Sequence, residues 1–160
     1  MKAICNTSPL ILLAKIGRLH LLQQLYREIL IPVAVLEEVR AKPGSEVQQL
    51  QTLIEGGVYQ LHKVSGNVLS DIPAELGSGE REVIALAIEK QADLVILDDL
   101  EGRRIARERG LAVTGTIGLL VEARKRRLIP SIRGELDRLI EAGMWLDEFF
   151  YHRILQEFGE

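Results

Sequence analysis

Four apolar residues in unbroken succession, Leu94-Val95-Ile96-Leu97, run directly into Asp98-Asp99. A strand that is apolar at every position must be covered on both faces, which is the setting of a strand inside a parallel sheet layered by helices. Its flanks agree with that setting. Val83, Ile84, Ala87 and Ile88 form the apolar stripe of a helix from Glu82 to Lys90, and Glu101 to Arg109 reads as helix again. The alternation continues along the chain, with Lys2 to Cys5, Ile29 to Ile31, Val58 to Val64 and Leu111 to Val113 as further strands. Helical spacing fills the intervals, from Ser8-Pro9 onward, through Leu19 to Leu25, Val35 to Val39 and Val47 to Ile54, and from Thr116 to Arg127. Ser65 to Gly79 is the one long loop, and from Pro130 onward the pattern is a helical hairpin. This order predicts an α/β fold with a central parallel sheet of about five strands, helices on both faces and a helical C-terminal extension.

With 160 residues and 47% apolar content, the chain can bury an ordinary core as one domain. The expected division is a sheet-bearing unit over residues 1–129, with residues 130–160 packed on it or on a dimer partner. Lys15 and Arg18 interrupt the longest apolar stretch well short of a bilayer span. The start of the chain offers no cleavage signal, so a cytosolic protein without a membrane segment is expected. The single cysteine, Cys5, excludes an internal disulfide and a multi-cysteine zinc site, and within its apolar strand it reads as core. His20, His62 and His152 lack metal-ligand spacing, and no glycine-rich phosphate loop is present, which argues against a nucleotide-binding α/β domain.

In an alternating strand–helix chain the ends of the strands collect along one edge of the sheet. Asn6, Glu80, Asp98 and Asp99 would meet there and present oxygen donors, which suit a hard divalent cation such as Mg²⁺ or Mn²⁺. Glu82 remains open beside Glu80 on the helix that follows the long loop, and Asp99 is as open as Asp98 because a one-residue shift at a strand end reverses the side chain's direction. Each also has a purely structural role open to it. Asn6 suits a helix cap, Glu80 suits the positive end of a helix dipole, and either aspartate suits the cap of the following helix.

The net charge of −3 hides an uneven distribution: nine basic residues stand against three acidic between Glu101 and Arg133, and two against seven thereafter. Arg103, Arg104 and Arg107 are therefore candidates to hold a nucleic-acid backbone over the acidic edge. Solvation of helix faces is the plain alternative. Five of the seven aromatic residues lie between Trp145 and Phe158. Stacking on unpaired bases is one reading of such a cluster; a terminal helix completing the core or a homodimer interface is the favoured one.

Several segments together resemble one family. Asn6-Thr7-Ser8-Pro9-Leu10-Ile11, Ile31 to Val39, Gly79 to Ala87, Ala92 to Asp99 and Thr114 to Leu120, in this order, are similar to a PIN domain, the small nuclease fold of VapC-type toxins. Within it they most resemble the branch of unknown function that carries the Asn-Thr-Ser-Pro-Leu-Ile motif. The resemblance implies a three-layer α/β/α fold and a Mg²⁺- or Mn²⁺-dependent ribonuclease with an acidic site. Its four positions fall on Asn6, Glu38, Glu80 and Asp98, with Asp99 as a further metal ligand. Ser8 and Thr116 would support the site as hydroxyl donors. Glu37 would remain a solvated neighbour of Glu38. The implied partners are RNA, a small antitoxin protein and a second copy of the chain. Asn6 departs from the aspartate of the family pattern. An amide supplies no charge and cannot act as a base, so metal binding should be weaker than with four carboxylates. A non-catalytic module that binds RNA or a protein partner is therefore the second expectation.

Overall fold

The computed structural model describes residues 1–160 as a five-stranded parallel sheet with strand order β3-β2-β1-β4-β5. The strands are β1 (Lys2–Cys5), β2 (Glu28–Pro32), β3 (Tyr59–His62), β4 (Leu94–Ile96) and β5 (Val113–Thr114). Helices α1 (Thr7–Lys15) and α2 (Leu21–Leu25) connect β1 to β2, and α3 (Val33–Arg40) and α4 (Glu46–Glu55) connect β2 to β3. The longest crossover carries α5 (Gly66–Leu69) and α6 (Ser78–Glu89), and α7 (Leu100–Glu108) leads to β5. Helices α8 (Thr116–Lys125), α9 (Ile132–Glu141) and α10 (Glu148–Glu157) follow the sheet. Parallel neighbours cannot be joined by tight hairpins, so every connection contains helix, and the helices complete a three-layer α/β/α arrangement.

The central strands are buried on both sides, as an unbroken apolar run requires. Ala3, Ile4 and Cys5 of β1 and Val95 and Ile96 of β4 have no solvent exposure. One core of 35 buried residues continues from these strands into the C-terminal helices through Ile132, Leu136, Leu139, Ile154 and Leu155. The Glu160 side chain ties this region down. It accepts the N–H groups of Ile132 and Arg133 and the Ser131 hydroxyl, and pairs with Arg124.

Three local boundaries differ from the sequence expectation. Residues 65–79 are not wholly loop, since α5 occupies Gly66–Leu69 and α6 starts at Ser78. The first turn of α6, Ser78-Gly79-Glu80, has no apolar side chain to reveal it. The last strand is Val113–Thr114 rather than Leu111 to Val113. Leu111 donates its N–H back to Ala106 as part of the α7 terminus, with Gly110 at φ +78° making the left-handed turn. The third strand is confined to Tyr59–His62, so Val58 and Val64 lie outside it.

Candidate active site

The strand order places a reversal at the centre of the sheet. From β1 the chain steps outward through β2 to β3, then crosses back by α6 to β4 on the opposite side of β1. Loops leaving the carboxyl ends of two such strands diverge and open a crevice between them, the usual ligand position in parallel sheets. Cys5 stands opposite Ile96 in register, so Asn6 follows the end of β1 beside the residues that lead from β4 to Asp98. The Asn6 N–H continues the ladder for one further bond, 3.0 Å to Ile96 O.

Three consecutive residues after β1 each donate to a different carboxylate. Asn6 Nδ2 lies 3.2 Å from Glu80 Oε1, Thr7 Oγ1 2.6 Å from Glu38 Oε2, and Ser8 Oγ 3.4 Å from Asp98 Oδ2. The start of α1 turns these side chains in three directions, which is how a contiguous tripeptide reaches acids from three separate parts of the chain. Asn6 occupies the N-cap position of α1 yet makes no side-chain capping bond. Its side chain is instead committed to the crevice. Asn6 is 2% exposed, and its Oδ1 has no hydrogen-bond partner. A buried acceptor left without a donor costs free energy, on the order of 1–3 kcal/mol.

Glu38, on α3, is held on all sides. Besides the Thr7 hydroxyl it accepts the Gly79 N–H at 2.9 Å and the Ser78 hydroxyl at 3.3 Å, and so closes the first turn of α6. A Cβ on residue 79 would fall 2.7 Å from both Glu38 oxygens, so this close approach needs glycine. Glu80 lies one residue further along α6, at the crevice. Glu82 turns away and accepts the N–H of Ala34 at 3.2 Å, at the start of α3.

The two aspartates after β4 separate in the same manner. Asp98 accepts the Thr116 N–H at 2.8 Å and the Thr116 hydroxyl at 2.6 Å, joining β4 to the first turn of α8. Asp99 is exposed and caps α7, its carboxylate 2.7 Å from the Gly102 N–H. Arg103 approaches Asp98 across Gly115, where a Cβ would meet Arg103 Nη1 at 2.5 Å and Asp98 Oδ1 at 2.6 Å. Burial and the charge of Arg107 lower the Arg103 pKa, and Asp98 opposes them. The guanidinium remains the protonated form. Arg104 is engaged by Glu101 and Glu108 on its own helix, and Arg107 is exposed. Of the three arginines singled out by charge, Arg103 is the one that reaches the crevice.

Asn6, Thr7, Ser8, Glu38 and Glu80 line a cleft of about 330 Å³ with Lys15 and Lys42 also on its wall. Thr7 and the two lysines had no role in the sequence reading. Thr7 stands inside the Asn-Thr-Ser motif, which was the available signal, whereas nothing in the local sequence around Lys15 or Lys42 points to an acidic cleft. Below the crevice, the Cys5 thiol is pushed well above its ordinary pKa, first by burial and then by the charge of Asp98.

A profile of the PIN-domain family designated DUF3368 matches residues 2–160. The chain belongs to this PIN-domain family. The match takes in α9 and α10 as well as the sheet. A solved structure described as a PilT N-terminus domain protein from the hyperthermophilic archaeon Sulfolobus solfataricus P2 is 19% identical, with a TM-score of 0.47, over 77% of this chain and 93% of that one. No curated protein matches the sequence. No helix of this PIN domain is long and apolar enough to cross a membrane.

A divalent ion can be tested against the side chains present. No three His, Cys, Asp or Glu side chains are drawn together as a ready-made cage. The acceptor groups at the crevice are nevertheless oxygens, set beside the cationic Lys15 and Lys42, and Asn6 Oδ1 is buried without a partner beside the Glu80 carboxylate. That donor chemistry fits a hard cation, which takes amide as well as carboxylate oxygen and keeps several waters.

Proposed function

We propose that this PIN domain is a divalent-metal-dependent ribonuclease whose reaction takes place at the crevice between β1 and β4. The observation that carries this reading is Asn6 Oδ1, a buried acceptor without a donor, set next to Glu80 at the sheet's switch point. Asn6, Glu80 and Asp98 would hold Mg²⁺ or Mn²⁺, with Glu38 adding negative charge from behind and Asp99 outside this group. When bound, such an ion supplies Lewis acidity, stabilising charge on a phosphoryl oxygen and acidifying a water. The chain's own groups do the rest. Thr7 and Ser8 fix two of the carboxylates, Thr116 orients Asp98, and Arg103 offers positive charge to the RNA phosphate. Resemblance to toxin nucleases adds a small antitoxin protein as a partner. The exposed Trp145 and Phe149 suit a homodimer.

One observation favours the second reading, a PIN module that binds RNA or protein without cleaving it. Each carboxylate already has a donor from Asn6, Thr7 or Ser8, so the apo site is partly compensated without metal. Cleavage of single-stranded RNA in Mn²⁺ separates the two. The nuclease reading expects metal-dependent cleavage that Glu80→Gln and Asp98→Asn each lower by on the order of a hundredfold. Wild-type protein that neither binds Mn²⁺ at millimolar concentration nor cleaves RNA leaves the binding module.

A further inference from the structure

A second cavity begins at Asp98, which does not line the cleft at Asn6 and Glu80. It has a volume of about 450 Å³ and runs from Asp98 and Arg103 along α8 to α10, with Ile117, Val121, Met144 and Phe150 on its walls. Its two ends differ. Arg103 makes one long bond, 3.4 Å to Leu97 O, and no ion pair, so most of its donors are free. The far end is apolar apart from Glu157, whose negative charge disfavours a phosphate there. Phe150 is 42% exposed although it sits beside Met144 and Ile154, and so presents ring surface to the cavity.

We infer that this cavity is a nucleobase subsite, holding one unpaired base of the RNA next to the phosphate that lies at Asp98. The inference rests on the nuclease or RNA-binding reading of the crevice and adds where the neighbouring nucleotide goes. A nucleotide has the same polarity as the cavity, with an anionic end for Arg103 and a flat apolar end for the α8 and α10 walls. The volume lies within the usual range for small-ligand sites. Recognition of single strands rests on stacking of bases against aromatic side chains, and Phe150 is placed for it. Gly115 keeps the passage between the cavity and Asp98 open, since any larger residue would strike both Arg103 and Asp98.

The test compares a labelled single-stranded RNA hexamer with an abasic ribose-phosphate hexamer of equal charge, by fluorescence anisotropy of the full chain in Ca²⁺, which neutralises the acidic edge, with the strands checked on a gel to be intact and an EDTA titration as the metal-free control. Wild type is expected to bind the RNA roughly tenfold more tightly than the abasic strand, as stacking of one base provides. Phe150→Ala should bring RNA binding down to the abasic level, Phe150→Tyr should keep the preference, and Arg103→Gln should weaken both strands alike. Circular dichroism establishes that each variant is folded. Equal binding of the two strands by wild type, or a preference that survives Phe150→Ala, overturns the subsite. If wild type still cleaves RNA in Mn²⁺ in that case, only the subsite falls. Absence of both RNA binding and cleavage removes the functional reading and the subsite with it.

Discussion

Glu38 and Glu80 stand on either side of the same helix start, and their surroundings are opposite. Glu38 has a donor for both oxygens, from Thr7, Ser78 and Gly79, and in return fastens α3 to α6. Glu80 has one donor, the Asn6 amide, and that amide's own oxygen has none. A carboxylate satisfied by the chain stabilises the fold. A carboxylate and amide left short of partners are where a ligand can contribute. Asp98 belongs to the satisfied kind by its bonds to Thr116, and it also joins the crevice to the base cavity. The acidic edge is thus a supported half around Glu38 and Thr116 and an unfinished half around Asn6 and Glu80.

The strongest way to break this contrast is to neutralise each acid in turn. Glu80→Gln is expected to cost on the order of a hundredfold in metal-dependent cleavage with little change in urea stability. Glu38→Gln should do the reverse first, losing about 1–3 kcal/mol of stability because charged hydrogen bonds to α6 and Thr7 are weakened. Urea titration and initial rates on the same two proteins decide it. Equal losses of stability in both variants would erase the distinction.

Which acid goes where was only partly legible in the residues. The Leu94 run and its helical flanks are enough to imply a parallel layered sheet, because burial on both faces leaves few other solutions. Counting back from the apolar strand favours Glu80 but leaves Glu82 open, since α6 begins at Ser78, in a turn with no apolar side chain to announce it. With the helix start known, Glu80 lies beside Asn6 and Glu82 bonds Ala34. Asp98 and Asp99 differ through a contact 18 residues away, the Thr116 hydroxyl, which local pattern does not carry. The pairing of Thr7 with Glu38 depends on how α3 packs against α1 and α6, a tertiary fact without a sequence signature. The surroundings of each arginine in the basic run were hidden for a similar reason. Arg104 has acidic partners three residues before it and four after it on the same exposed helix face.

Gly79 tests the supported half at its tightest point. Gly79→Ala places a methyl group 2.7 Å from both Glu38 oxygens, and the glutamate cannot retreat without releasing the α6 N–H or Thr7. A loss of about 1–3 kcal/mol is expected, read as a lower denaturation midpoint with the slope unchanged. Ordinary glycine-to-alanine substitution inside a helix is stabilising by up to about 1 kcal/mol, so the sign alone distinguishes a packed site from a bare helix turn.

Asn6→Asp probes the unfinished half. The new carboxylate would replace an amide that donates to Glu80, putting two like charges in near contact without metal. Apo stability should fall by about 1 kcal/mol or more, and Mn²⁺ should restore it, with affinity raised about tenfold by isothermal titration. Loss of stability without any gain in Mn²⁺ affinity would place Asn6 beside Glu80 for structural reasons alone.

Glu160 supplies the smallest effect and a control for what satisfaction by the chain does. Burial raises its pKa, but the N–H of Ile132, the Ser131 hydroxyl, the N–H of Arg133 and the Arg124 guanidinium together outweigh that and pull it down to about 2. A carboxylate depressed in the folded state contributes stability that is complete above its unfolded value near 4.3 and disappears as pH falls toward 2. The acid limb of the stability profile should therefore be steeper in wild type than in Glu160→Gln between about pH 4.5 and 2, with the variant less stable at neutral pH. Cleavage should respond to this substitution only through folding, because Glu160 clamps α9 to α8 and touches neither the crevice nor Asp98. A change in Mn²⁺ affinity at neutral pH would instead mean that the C-terminal helices help set the geometry of the site.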